Sequence, residues 1–345
     1  MIRKLDYEST LLEGSPMKVS VFMLAYKHEK FIAQALDSVL MQQVNFDYEI
    51  VIGEDCSPDT TRDILISYQQ EHPEKIRLLL PEKNLGMHDN FIQTFKACRG
   101  NYIAILEGDD YWTSPYKLQK QVDFLDTNAD CTICFHKAFV PNQDGSPGGL
   151  IFPKEQQNKI FTLEDILSCP SNMMPTASIM FRQGFINEFP DWTYDVDLVD
   201  WTLQVLLAQH GNIGFLDEVL SVYRVHPEGN WSRKSHLEAT LELTKVFQCF
   251  SKYLNLNSKN KRIVRVILSD YYGQLAILYA QNGDRKNSTK YISKWFLNDL
   301  INKRPLSRIL SKVLAVIKIC TPSLYQVIKK IKYRFFANKY PEKKH

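Results

Sequence analysis

Four short apolar runs, alternating with helix-period segments, constrain this chain more than any other feature of its sequence. Lys18–Ala25 (KVSVFMLA), Tyr48–Gly53 (YEIVIG), Ile76–Leu80 and Tyr102–Leu106 (YIAIL) are rich in β-branched and aromatic residues and read as strands. Glu29–Gln42, Thr60–Glu71 and Asn90–Cys98 lie between them and read as helices; in the first, Phe31, Ala35 and Val39 fall on one face. Apolar strands joined by amphipathic helices predict an α/β class, a Rossmann-like and mostly parallel sheet flanked by helices. Ligands of such sheets bind beyond the carboxyl ends of the strands. Three polar clusters stand at those ends: Tyr26–Glu29, Glu54–Asp59 and Glu107–Trp112.

The later part of the chain has another character. Residues 241–345 hold 22 Lys and Arg against 5 Asp and Glu, a local charge of +17, which leaves −14 on residues 1–240 within a whole-chain +3. Leu237–Leu254, Lys261–Gln281 and Thr289–Ile301 read as helices broken at Asn255–Asn260 and Asn282–Arg285, and Ser307–Ile319 and Leu324–Phe336 follow. The expected division is an extension at 1–16, an α/β domain at 17–236 and a basic, all-helical region at 237–345. Near the end, Lys329, Lys330, Lys332 and Arg334 sit beside Phe335 and Phe336, a composition suited to an anionic membrane surface.

Seven cysteines, an odd and scattered number, imply no complete disulfide framework. Cys131 and Cys134 form a CxxC inside a strand-like run, where residues three apart face opposite ways, and no second CxxC completes a zinc site. The N-terminus lacks an apolar signal core, and no window reaches 18 uninterrupted apolar residues. The expected location is the cytoplasm, with peripheral contact at the inner face of the plasma membrane.

Within Leu106-Glu107-Gly108-Asp109-Asp110-Tyr111-Trp112, three carboxylates in four positions repel one another unless a cation neutralises them. Oxygen ligands suit Mg2+ or Mn2+, and such an ion can bridge diphosphate oxygens. The bland alternative is a solvated acidic turn. In Glu54-Asp55-Cys56-Ser57-Pro58-Asp59, Ser57 or Asp59 serves to cap the next helix, whereas Asp55 is free to accept a base N–H. Tyr26 offers a ring for stacking on a base. No GxGxxG follows the first strand and no GxxxxGK[ST] occurs, which takes the main support from the dinucleotide and P-loop readings.

Taken together, Ala25-Tyr26-Lys27-His28-Glu29, Ser38-Val39-Leu40-Met41-Gln42, Glu54-Asp55-Cys56-Ser57-Pro58-Asp59-Thr60-Thr61, Asn84-Leu85-Gly86, Arg99-Gly100-Asn101-Tyr102-Ile103 and the Glu107–Asp110 acids resemble the family 2 inverting glycosyltransferases of the GT-A fold. The likeness runs from about Val19 to Ser232. It departs from the family at Lys27, where an Asn is usual, and at Glu54 and Glu107, where Asp is usual. The resemblance implies that Ala25, Tyr26, Glu29, Asp55, Asn84, Asn90, Asp109, Arg224 and His226 hold the nucleotide sugar. It implies a metal on Asp110, Asp109 and His226, with Glu107 a weaker candidate because Glu is one methylene longer. The family's base opens the helix that begins near Asp191-Trp192; Asp200 fills that slot, with Asp197 in reserve. Trp112 and Trp201 are the expected acceptor contacts.

The implied partners are a nucleotide-diphosphate sugar, a UDP-sugar first, and a saccharide or lipid-linked saccharide acceptor in polysaccharide assembly. A homo-oligomer is compatible with the helical tail, and no nucleic acid is expected. Two rivals are a sugar nucleotidyltransferase and a non-catalytic protein with a basic tail that binds nucleic acid or membrane. The first wants a Gly-rich, Arg-bearing turn after the first strand, which Ala25-Tyr26-Lys27 is not. The second leaves the front-half acids unexplained.

Overall fold

The computed structural model describes residues 17–142, 148–151, 160–170 and 173–302, with scattered positions between 305 and 326. The chain forms two compact units interleaved in sequence. Unit 1 takes Met1–Ile160, Met174–Asn187 and His210–Arg224; unit 2 takes Phe161–Met173, Glu188–Gln209 and Val225–His345. The division therefore differs from a single cut near residue 236. The physical reason is aromatic packing, described below, which draws residues 188–209 to the later helices.

Unit 1 begins with β1 (Val19–Ala25), α1 (Ile32–Leu40), β2 (Tyr48–Glu54), α2 (Thr61–Glu71), β3 (Ile76–Leu79), α3 (Met87–Ala97) and β4 (Tyr102–Ile105). These match the segments read from the sequence to within a few residues. β1 pairs in parallel with both β2 and β4, and β2 with β3. Both faces of β1 are covered, so Val19, Val21, Phe22, Met23 and Ala25 are all buried, which is why its sequence is a run and not an alternation. On one face Ile32, Ala35, Leu36 and Val39 of α1 complete the core.

The sheet continues through β5 (Tyr111–Trp112), α4 (Lys117–Thr127), β6 (Cys131–Val140), β7 (Gly149–Ile151), the two-residue β8 (Ile160–Phe161), β9 (Met180–Arg182) and β10 (Asn212–Val222). Its order is β3-β2-β1-β4-β9-β6-β10-β5, with β7 on β6. β9 runs antiparallel between β4 and β6 and joins two parallel groups. Cys131 and Cys134 are buried on β6 as free thiols, and burial pushes them up to about 11 and about 12.

Unit 2 carries α5 (Leu163–Ser168), α6 (Val199–Ala208), α7 (His236–Tyr253), α8 (Ser258–Gln281) and α9 (Arg285–Ile301). Trp201 of α6 packs edge-on against Phe247 and Phe250 of α7, and Trp192 stacks on Tyr253. α8 and α9 start earlier than their apolar periodicity indicates, at caps supplied by Asn257 and Asp284. A polar first turn hides a helix start from a reading based on apolar spacing. No described helix is long and apolar enough to cross a membrane. Residues 329–336, with the basic cluster beside two phenylalanines, lie outside the described residues.

Candidate active site

In unit 1 the loops after β1, β2 and β4 meet at the carboxyl edge of the sheet, and most of their acids hold the loops to one another. Lys27 N–H donates to Ser57 Oγ at 3.0 Å and His28 N–H to Thr61 Oγ1 at 2.8 Å. Glu29 accepts from Thr60 N–H at 3.2 Å and from its hydroxyl at 2.9 Å. Asp59 accepts from Thr61 N–H at 3.1 Å at the start of α2, but the N-cap position itself is Thr60, so neither Ser57 nor Asp59 is the cap expected from the sequence. Glu54, fully buried, accepts from Ser57 N–H and Arg62 Nε, each at 2.5 Å. Glu29 was expected on the donor; its carboxylate is instead spent on stitching two loops.

Both loops turn through left-handed backbone. Lys27 has φ 61° and Cys56 φ 55°, at equivalent places after adjacent strands. That region is rare outside Gly and several-fold enriched in Asn, which explains the family's Asn at the position of Lys27. Tyr26 beside it is 41% exposed and offers a ring face.

Asp55, buried at the end of β2, accepts Leu85 N–H at 2.6 Å on one oxygen and Gly86 N–H at 3.0 Å on the other. Asn84 closes the loop by donating to Asp55 O at 2.9 Å. A carboxylate has about four acceptor positions, so these bonds leave Asp55 capacity for a further donor. Asn90 is a correction. It is 4% exposed and donates to Gly53 O at 2.9 Å, so it fastens α3 to β2 and presents no amide to a sugar. A Cβ on Gly53 would lie 2.5 Å from Asn90 Oδ1 and 2.0 Å from Thr94 Oγ1, so the close approach requires glycine there. Arg99-Gly100 is structural too: Arg99 donates to Glu49 at 2.7 Å, and burial, which raises the Glu49 pKa, is outweighed by Arg99 and Ser20, leaving it lowered.

The acids after β4 are arranged differently. Glu107, Asp109 and Asp110 each offer an oxygen, and these lie within 4.8 Å of one another. Glu107 thus joins the cluster despite its extra methylene. Asp110 is 1% exposed. Its Oδ1 accepts Arg224 N–H at 2.8 Å, while its Oδ2 is buried without a hydrogen-bond partner. Burial first, then the Asp109 charge, hold the Asp110 carboxyl well above the ordinary range, against the pull of Arg224. Three carboxylates so close together, one of them with a buried oxygen that lacks a hydrogen-bond partner, are a donor set that suits a hard divalent cation.

Arg224 sits across the cluster. Its guanidinium lies 4.4 Å from the Tyr111 ring centre and 5.2 Å from that of Phe31, and donates to Asp109 O at 2.5 Å and to Gln34 Oε1. His28, which the sequence reading did not single out, brings Nε2 to 3.8 Å from Asp109 Oδ2. Its place among the residues right after β1 was the available signal. Gly108 approaches so closely that a Cβ there would lie 2.7 Å from His28 Nδ1.

The remaining expected residues fall in unit 2 or in the core. The segment Asp191–Asp195 is a 3₁₀ turn, and the α-helix opens only at Val199, with Asp200 in its first turn and half-buried. Asp197 is exposed and paired with Lys234 at 2.6 Å, and its N–H donates to Glu242 at 2.5 Å. His226 is half-buried and its carbonyl accepts Gly229 N–H. Both tryptophans expected at the acceptor are corrections. Trp201 is fully buried among α7 aromatics, and Trp112 is 1% exposed with Nε1 donating to Ala177 O at 2.8 Å. Neither indole has a face for a sugar.

The model of Glycosyl transferase family 2 matches residues 20–187. An uncharacterized protein of Mycobacterium tuberculosis is 36% identical over 213 residues, 62% of this chain and 60% of the relative. The chain thus spans about 60% of the length of that relative. Among solved structures, S. aureus TarS 1-349 in complex with UDP-GlcNAc is 19% identical with a TM-score of 0.52, over 80% of this chain and 90% of that one. The mannosyltransferase PcManGT from Pyrobaculum calidifontis in complex with GDP-Man and Mn2+ is 14% identical with a TM-score of 0.55, over 94% of this chain and 88% of that one. At such identities the likeness speaks to the fold. Residues 20–187, just under half of the chain, are thus similar to glycosyl transferase family 2, and the fold that carries them is the GT-A sheet.

Proposed function

We propose that this chain transfers a sugar from a nucleotide-diphosphate sugar to an acceptor hydroxyl with inversion, with Mn2+ or Mg2+, in polysaccharide assembly. The observation that carries the reading is Asp110 Oδ2, a buried oxygen with no donor, in a cluster with Glu107 and Asp109. UDP is the first choice of nucleotide, since TarS was solved with UDP-GlcNAc. GDP is the alternative that PcManGT, solved with GDP-Man, brings into view.

Asp110, Asp109 and Glu107 are the ligands proposed within unit 1, and the sequence resemblance adds His226. When bound, the cation supplies positive charge for the oxygens of the departing diphosphate. The protein's own groups do the rest. Asp55, held rigid by Leu85 and Gly86, accepts the base N–H, and the exposed Tyr26 ring stacks beside it. Arg224 N–H holds one oxygen of Asp110, and the other has no hydrogen-bond partner and is left for the cation. Asp200 takes the proton from the attacking hydroxyl as general base, the role its place at a helix start allows. The acceptor is a saccharide or lipid-linked saccharide.

The test is release of nucleoside diphosphate when purified protein, MnCl2, an acceptor panel and UDP- or GDP-sugars are mixed. Release that needs the metal and the acceptor supports the proposal. Release of pyrophosphate from sugar phosphate and nucleoside triphosphate points to a nucleotidyltransferase instead. Neither product, with the full panel tested, rejects the catalytic reading.

A further inference from the structure

One buried amine has no part in the mechanism above. Lys117, the first residue of α4, is fully buried, and its Nζ makes no hydrogen bond. Nζ lies 3.9 Å from the centre of the Trp112 ring. Around it stand Gln121, one turn along α4, and Cys134 and His136, on one face of β6. Both β6 residues interact with it electrostatically. Gln121 Oε1, His136 Nε2 and Ser221 Oγ are likewise buried without partners. Burial pushes the Lys117 pKa well below its ordinary value, while Cys134 and the indole face favour the charged form. An apolar side chain of the same length would avoid this cost altogether.

What the amine touches leads straight to the acids. Trp112 is half of the two-residue β5, whose other half follows Asp110 directly. The indole Nε1–H donates to Ala177 O at 2.8 Å, and the Trp112 backbone N–H donates to Ser38 Oγ at 3.0 Å. β5 pairs with β10 through Ser221↔Trp112 and Val222↔Tyr111. Two residues past Val222, Arg224 N–H grips Asp110 Oδ1. The Trp112 ring and backbone thus stand at the start of a continuous path from Lys117 through β5 and β10 to the Arg224 contact with Asp110.

We infer that Lys117 is a positioning residue for the metal-binding acids, acting through the face of Trp112. The inference rests on the cation reading above, so its test measures metal binding directly. Mn2+ affinity, with UDP present, is read by the loss of the free Mn2+ EPR signal in wild type, Lys117→Met, Trp112→Phe and the double variant. Thermal midpoints are recorded in EDTA alongside.

Lys117→Met is expected to keep or raise the EDTA midpoint, since it removes an unpaired buried amine, yet to weaken Mn2+ binding about tenfold. Trp112→Phe is expected to weaken it similarly, and the double variant no further. With active protein, kcat should fall while the acceptor KM stays. Wild-type Mn2+ affinity in a folded Lys117→Met overturns the inference, as does full additivity in the double variant. If Lys117→Met does not fold, Lys117→Gln takes its place under the same criteria. Should wild type bind no Mn2+, the cation reading fails first, and the two failures are told apart.

Discussion

Replacing Asp110 by Asn should stabilise the metal-free protein while abolishing its response to metal. In the wild type three carboxylates place oxygens within 4.8 Å of one another. At that separation two unit charges repel by about 3.5 kcal/mol at an effective dielectric of 20. Glu107 and Asp109 are half-buried and partly screened by water, which reduces the net gain from removing one charge to about 2 kcal/mol. The Asn amide can also donate to the neighbouring acids, where an ionised Asp110 can only accept. For a unit of this size the gain corresponds to a rise of roughly 4–8 °C in thermal midpoint.

The assay is thermal unfolding of both proteins in EDTA, then in MnCl2 with UDP. Wild type should gain with metal, by about 2.7 kcal/mol at a hundredfold excess over Kd, and the variant should gain little. The pH dependence follows from the raised Asp110 pKa. The folded protein holds that proton more tightly than the unfolded chain. The cost to stability is therefore absent below the ordinary carboxylate range and grows as pH rises towards the folded value. The gap between the two proteins in EDTA should close as pH falls to about 4. An Asp110→Asn protein that melts no higher in EDTA, or that keeps the full metal response, refutes the reasoning.

Asp200→Asn should retain donor binding and lose on the order of 10²–10⁴ in kcat; if Asp197→Asn carries that loss instead, the base sits one turn earlier. Lys27→Asn should raise stability in urea by about 0.5–1 kcal/mol, because φ 61° suits Asn better than Lys; an unchanged midpoint removes the strain argument. Residues 241–345 carry +17 and α9 exposes Phe296, Leu297, Leu300 and Ile301, so the protein should sediment with anionic liposomes at low salt. Truncation after Pro305 should weaken that binding while soluble-acceptor turnover persists, and equal sedimentation of both forms rejects a role for the tail.

The central parallel strands were readable because strands covered on both faces must be apolar throughout, as β1, β2 and β4 are. β5 and β9 were not, since two or three residues carry no period. The start of α6 was misread because Asp191-Trp192 has the look of a helix opening, and only the 3₁₀ backbone distinguishes it. The acids posed a deeper difficulty. A carboxylate that caps a turn and one that binds a ligand obey the same rules, so Glu29 looked as functional as Asp110 until its partners were seen. The tryptophans failed for a related reason: an aromatic near a site is as useful in the wall behind it as on its surface. Lys117 left a trace in sequence, sharing the α4 face of Leu118, Gln121, Val122 and Leu125, where a surface lysine has no place.

The antiparallel position of β9 has a consequence for how the chain is made. β1 to β4 can pair as soon as they leave the ribosome, since their partners are all encoded before residue 106. On that side β6 meets only β7, at Ala138–Val140, until Met180–Arg182 is synthesised, and it takes β10 still later. For dozens of residues of translation the nascent sheet therefore exposes two open borders, along β4 and β6, each lined with unpaired backbone groups. Three residues of β9 close both at once, so slow translation just upstream of Met180 prolongs the interval in which nascent chains can associate through those borders.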